Sequence, residues 1–148
     1  MAVFIPLLQT LLFILFKCAL HMTTKSATEL VKAAKQEIEN LTPEQVKEAL
    51  SSDDVVLIDI RESEELAKDG KIAGAVHAPR GMIEFYADPS LPYHKPEFDS
   101  SKKIILHCAS GGRSALAAKT LKDMGYNKVA HLEGGIKAWK ESGLPVSY

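Results

Sequence analysis

The period of the apolar positions changes several times along the chain, and each change predicts an element. Ala2 to Phe16 is almost wholly apolar, broken only by Gln9 and Thr10, with Pro6 near its start and Lys17 and His21 at its end. Extended to Leu20 as a helix it would span about 28 Å, close to the ~30 Å hydrocarbon core of a bilayer. Ser26 to Asn40 carries Leu30, Ala34 and Ile38 at i, i+4 and i+8, a narrow stripe that predicts a helix leaning on the rest of the chain. Thr42-Pro43-Glu44-Gln45 is a helix start: Thr42 as N-cap, Pro43 at the first helical position, Gln45 closing a capping box. Val55 to Ile60 is a continuous apolar run interrupted only by Asp59, the pattern of a parallel strand covered on both faces.

Beyond it, Ser63 to Asp69 predicts a short helix ended by Gly70, and Pro79 to Ala87 predicts another. Residues 88–96 form a proline-stiffened loop, which either walls a pocket or is a surface excursion. Lys103 to His107 is a second buried strand. Ala117, Thr120, Leu121 and Met124 mark one helix face, capped by Gly125. Val129 to Leu132 is a last strand, and a final helix after Glu133 carries Trp139 and stops at Gly143 and Pro145. From Leu41 onward helix and strand alternate, which predicts a three-layer α/β domain with a mainly parallel sheet of about five strands flanked by helices. The chain thus divides into an apolar segment (1–21), a helical linker (22–40) and a domain (41–148).

Composition narrows this picture. At 148 residues, 46% hydrophobic and 25% charged, the chain is that of one ordinary globular domain. A net charge of -1 argues against general nucleic-acid binding. Cys18 and Cys108 make neither a disulfide framework nor a metal cluster, which suits a reducing compartment. No cofactor is expected. The apolar segment keeps two readings. In one, residues 2–20 anchor the chain in a membrane, with Lys25, Lys32 and Lys35 placing the domain in the cytoplasm. In the other it is a non-native extension and Met22 is the true start. A signal peptide fits poorly, because no Lys or Arg precedes the apolar run. Cys18 reads as apolar filling, with reversible acylation the minor alternative.

The candidate chemistry lies where the second strand ends, at Cys108-Ala109-Ser110-Gly111-Gly112-Arg113-Ser114. Gly111 and Gly112 allow positive φ, so successive N–H groups can turn inward as an anion-binding nest beside a helix N-terminus. A cysteine at such a nest ionises readily, and the thiolate is the nucleophile. Arg113 adds a permanent cation able to grip an oxyanion with two hydrogen bonds. Strand alternation puts His107 on the opposite side from Cys108. His77 reads as a strand-end histidine bonded to backbone rather than a base. Asp59 and Arg61 read as a salt bridge that ties down loops.

Cys108 to Arg113 resembles the active-site loop Cys-x-x-Gly-x-Arg of the rhodanese (sulfurtransferase) family. Cysteine phosphatases have five residues between Cys and Arg; here there are four. Three further segments carry the resemblance. Asp59-Ile60-Arg61 is similar to the family's Asp-x-Arg. Gly70 to Pro79 is similar to its Gly-His-Ile-x-Gly-Ala-x-Asn/His-x-Pro, with Lys71 where His is usual. Glu133-Gly134-Gly135 followed by Trp139 is similar to its Glu-Gly-Gly-x-x-x-Trp. Together they cover about Leu41 to Tyr148.

The resemblance implies a rhodanese fold and a persulfide on Cys108, stabilised by loop groups from Ala109 to Ser114 and with Arg113 orienting the donor. It implies thiosulfate or a low-molecular-weight persulfide as donor, and a thiol, cyanide or a protein as acceptor. Asp59 and Arg61 are mainly structural there. The neutral residues Ala109, Ser110, Gly111 and Gly112 depart from thiosulfate-preferring members, which carry cations in the loop. A persulfide carrier or redox sensor is the alternative, and a phosphatase or arsenate reductase is disfavoured by the spacing.

Overall fold

The computed structural model describes residues 5–20 and 23–148; the side chains at 5, 6 and 17–20 are outside that set. The readings of Cys18 and of a start at Met22 therefore lie outside the described residues. Helix α1 (Ile5–Leu20) has 16 residues. At 1.5 Å per residue that is about 24 Å, short of the ~30 Å apolar core of a bilayer. Among the described residues no helix is long and apolar enough to cross a membrane; the first residues of the expected anchor, 2–4, lie outside them.

The remaining elements are α2 (Ala27–Glu37), β1 (Glu39–Leu41), α3 (Pro43–Ala49), β2 (Val55–Asp59), α4 (Ser63–Asp69) and β3 (Val76–His77). A 3₁₀ turn (Arg80–Met82) then runs into α5 (Ile83–Ala87), followed by β4 (Lys103–His107), α6 (Gly112–Asp123), β5 (Val129–Leu132) and α7 (Gly135–Glu141). The five strands form one parallel sheet in the order β1-β5-β4-β2-β3. The sequence predicts α3 with its cap: Thr42 Oγ1 accepts from Gln45 N–H, and Gln45 Oε1 accepts from Thr42 N–H.

Alternation along the strands divides the core in two. Ile58, Ile104, Leu106, Cys108 and Val129 pack against Ala117, Ala118 and Leu121 of α6. Leu57, Ile105, Ala130 and Leu132 pack on the other face with Val46 of α3 and Ile136 and Trp139 of α7. Each buried Leu, Ile or Val side chain among them contributes about 1.5–3 kcal/mol by burial.

Two features differ from the sequence pattern. The buried line of α2 holds Ala34, with Val31 and Ile38 half-buried, while Leu30 is 46% exposed. Helix α2 lies along α6, and this contact rather than α2's own apolar content chooses the buried face. Strand β1 spans the end of the predicted linker, at Glu39 and Asn40, and the first residue of the predicted domain, Leu41. It has only three residues, two of them polar and exposed, so no period marks it; pairing with β5 makes it a strand.

Candidate active site

Strands β2 and β4 are neighbours, with Asp59 opposite His107. After β2 the chain turns one way, through α4 to β3; after β4 it turns the other way, through α6 to β5. A crevice opens at the carboxyl ends where connections diverge like this. Cys108 is the first residue past β4, at that end of the sheet.

The loop is shaped by one glycine in front and one behind. Gly111 has φ 101°, and its N–H donates to Cys108 Sγ at 3.2 Å. Gly112, expected to share the positive φ, is instead the first residue of α6, so one left-handed residue suffices for the curl. Ser114 N–H also donates to Sγ, at 3.4 Å. Two backbone N–H donors are thus aimed at one sulfur. Behind the loop, Gly135 has φ 61°, and a Cβ there would lie 2.5 Å from the backbone of Cys108 and Ala109. The close approach lets Ile136 N–H donate to Cys108 O at 2.9 Å and Lys137 N–H to Ala109 O at 3.1 Å. Ser110 stands exposed at the loop's mouth and Ala109 is half-buried, while Cys108 is 1% exposed.

Arg113 is placed differently from the sequence expectation. Its Nη1 and Nη2 donate to Glu65 Oε2 and Oε1 at 2.8 and 2.7 Å. Glu65 Oε2 also accepts Glu62 N–H at the start of α4. The Arg113 bonds, chief among the causes, bring Glu65 down to about 2. The fork expected to grip an oxyanion is bound to a carboxylate, because α4 brings Glu65 to the loop. Nothing in the spacing of Glu65 in the sequence marked it.

Asp59 and Arg61 form a buried pair. Arg61 Nε and Nη2 donate to Asp59 Oδ1 and Oδ2 at 3.0 and 2.7 Å, and Nη2 also donates to Gly70 O at 2.9 Å. Burial would raise the Asp59 pKa; the bonds from Arg61 and the nearby His107 outweigh it and hold the pKa below its ordinary value. His107 Nε2 is 3.4 Å from Asp59 Oδ2, on the face away from the thiol, and burial pushes its pKa down. His77 Nε2 bonds to Arg61 O at 2.6 Å, a backbone contact. In the 88–96 loop, His94 Nδ1 bonds to Tyr86 O at 2.9 Å and the Lys95 ammonium stands 4.7 Å from the Tyr86 ring centre, so the loop folds back on α5.

The sequence reading passed over His131, the one polar residue in β5. It is fully buried on the Cys108 face, and its Nδ1 is 3.0 Å from Ser114 Oγ. Ser114 Oγ in turn is 3.5 Å from Cys108 Sγ. A lone polar residue in an otherwise apolar strand was the available signal.

The chain as a whole is similar to known proteins. A family model described as a Rhodanese-like domain matches residues 42–142. A sulfurtransferase from Allochromatium vinosum is 36% identical over 95 residues, covering 64% of this chain and 80% of that protein. A structure from Rhodopseudomonas palustris, of a protein of unknown function described as a possible tyrosine phosphatase, is 44% identical with a TM-score of 0.80. It covers 85% of this chain and 97% of its own. The polysulfide-sulfur transferase homodimer of Wolinella succinogenes is 35% identical with a TM-score of 0.64, covering 78% and 82%. Of two other curated relatives, this chain spans about half the length. The match runs from the helix before β2 through the cysteine loop to α7, and on it the chain belongs to the rhodanese-like domain family of sulfurtransferases.

Proposed function

We propose that the chain moves sulfane sulfur by way of a persulfide on Cys108. The observation that carries this is the pair of backbone N–H groups, from Gly111 and Ser114, directed at Sγ. They are suited to hold negative charge on the sulfur during attack and on the persulfide after it. The thiolate attacks the outer sulfur of the donor, an S–S bond to Cys108 forms, and the donor's own S–S bond breaks with its electron pair leaving on the donor. The acceptor then attacks the outer sulfur and returns the Cys108 thiolate, a two-step covalent exchange.

The donor we favour is a low-molecular-weight or protein persulfide rather than thiosulfate. Arg113 is the loop's cation, and Glu65 neutralises it at 2.7 Å. A dianion entering this loop meets less positive charge than the sequence alone suggests. The same ion pair, with only four residues between Cys108 and Arg113, disfavours phosphate as a substrate.

Intact mass of the full chain tests the proposal. Incubation with glutathione persulfide should add one sulfur, ~32 Da, that cyanide removes, as the covalent step requires. Thiosulfate should load it more slowly. Absence of any sulfur adduct with either donor would overturn the assignment. Loading followed by slow release to small thiols, and fast release to a partner protein, would select the carrier reading.

A further inference from the structure

His131 connects Cys108 to a part of the chain that lies ahead of the matched domain, and the hydrogen-bond roles along this path are fixed by covalent chemistry. Asn40 Nδ2 is 2.8 Å from Lys35 O and 3.2 Å from Ile38 O. Carbonyl oxygens only accept, so that end of the amide is the nitrogen and the other end is Oδ1. Asn40 Oδ1 stands 2.8 Å from His131 Nε2, and an amide oxygen also only accepts. Nε2 therefore carries the hydrogen. Glu133 Oε2, 3.3 Å from the same nitrogen, accepts as well. A neutral imidazole with Nε2–H has a bare Nδ1.

The hydroxyl of Ser114, 3.0 Å from Nδ1, must then donate to it. Gly111 O is the other acceptor near that hydroxyl, at a longer 3.4 Å. With its hydrogen on His131, Ser114 Oγ presents lone pairs to Cys108 Sγ, and the thiol S–H points at Ser114. The chain of donors runs one way, from Cys108 through Ser114 to His131.

We propose that His131, acting through Ser114, takes up the proton that Cys108 gives up, and that Asn40 holds His131 in the tautomer that can do so. The proposal rests on the reading of Cys108 as the sulfur carrier. The Sγ–H bond breaks as a new Oγ–H bond forms on Ser114, and the original Ser114 hydrogen passes to Nδ1. The direction of the chain is thereby reversed. Ser114 O–H now donates to the thiolate, which has three donors instead of two, and the imidazolium donates to Ser114 and to Asn40. When the acceptor removes the outer sulfur, the thiolate can take the same proton back, so the cycle consumes none.

The charged groups around this path are few. Glu133, on the turn after β5, faces Nε2; Lys35 of α2 is ion-paired to Glu133. On the thiol side stands Arg113 of α6, bonded to Glu65 of α4. Burial pushes the His131 pKa down, with Lys35 acting in the same sense and Glu133 opposing. The resting imidazole is thus neutral at neutral pH, with Nδ1 bare, and the thiolate then formed would attract the imidazolium that burial disfavours. Lys35 and Asn40 lie outside residues 42–142, which makes α2 and β1 part of the site. His131 is a positioning and proton-holding residue; it touches no reacting sulfur.

The test is the pH dependence of Cys108 alkylation by iodoacetamide, in the full chain carrying Cys18→Ser so that one thiol reports. His131→Gln should move the midpoint up by about one pH unit and slow alkylation at pH 7 about tenfold, with the limiting rate at high pH unchanged. Asn40→Ala should shift it the same way by a smaller amount, and Asn40→Asp, which keeps an acceptor on Nε2, should restore it. A His131→Gln profile that superimposes on the parent, or one slowed equally at every pH, overturns the proposal. Nitrogen NMR of the histidine-labelled parent is an independent check that needs no variant: the Nδ1–H tautomer at neutral pH overturns it too. Loading of the parent by glutathione persulfide at high pH separates the two ideas. Without loading, the carrier reading falls while the profile still decides His131; with loading and an unshifted profile, the relay falls and the carrier stands.

Discussion

Asp59, Arg61 and His107 form one buried polar group beside β4; Cys108, Ser114 and His131, with Asn40 bonded to His131, form another. Both groups bury a histidine with a carboxylate beside it, and burial pushes both imidazoles toward the neutral form. They differ in what the hydrogen bonds leave free. In the first, Asp59 takes two side-chain bonds and one backbone bond from Arg61, and Arg61 is tied onward to Gly70. Nothing there can change partner without leaving a charge unpaired. In the second, the Ser114 hydroxyl can turn from His131 to Cys108, so the same atoms support two protonation patterns. Polar burial alone does not separate a brace from a reactive site; under the relay proposed above, reversibility of the donor pattern does.

The comparison can be broken at its strongest point first. Cys108→Ser should abolish the sulfur adduct in intact mass while leaving the thermal midpoint near that of the parent, since the hydroxyl is nearly the same size. Retained sulfur transfer would remove Cys108 from the chemistry. Arg61→Leu should do the reverse. It leaves Asp59 buried and uncompensated, at a cost of about 3–5 kcal/mol, read as a lower urea midpoint. A loss under about 1 kcal/mol would mean that the pair is not the brace described here.

Gly135→Ala sits between the two effects. The added Cβ meets the Cys108 and Ala109 backbone at 2.5 Å and needs φ 61°. A cost of about 1–3 kcal/mol is expected, with slower sulfur loading as the loop shifts. Normal loading in a destabilised protein would show that the loop does not depend on α7. The smallest effect is that of Glu65→Gln. At pH 7 the half-exposed pair contributes no more than about 1 kcal/mol. Its carboxyl is lowered from 4.5 to about 2 in the folded chain. The pair's contribution is therefore complete above pH 4.5 and fades as pH falls toward 2. Denaturation curves of the parent and Glu65→Gln should differ at neutral pH and converge in acid, and curves that stay parallel would count against the ion pair. The same variant frees Arg113 and should speed loading by thiosulfate relative to glutathione persulfide.

Much of this site could be read from the chain, because local rules set it. Two glycines after Cys108 announce a curled loop, and the apolar run before it announces a buried strand. The alternation that put His107 away from the thiol also puts His131 toward it, but that second step needs the register of β5 beside β4, with Leu106 opposite His131. Glu65 was invisible for a similar reason: it caps its own helix locally, and only the packing of α4 against the loop turns it toward Arg113.

The sequence by itself determined the order of helices and strands after Leu41, the two-faced core and the place of the proposed nucleophile. These follow from periodicity, capping and glycine freedom, which act over a few residues. Tertiary structure alone decided that Arg113 is already paired and that β1 and α2 belong to the sheet and the site. It also decided that a histidine far along the chain, rather than the one next to Cys108, stands behind the thiol. Those outcomes depend on strand order and helix packing, which join residues that no local rule connects.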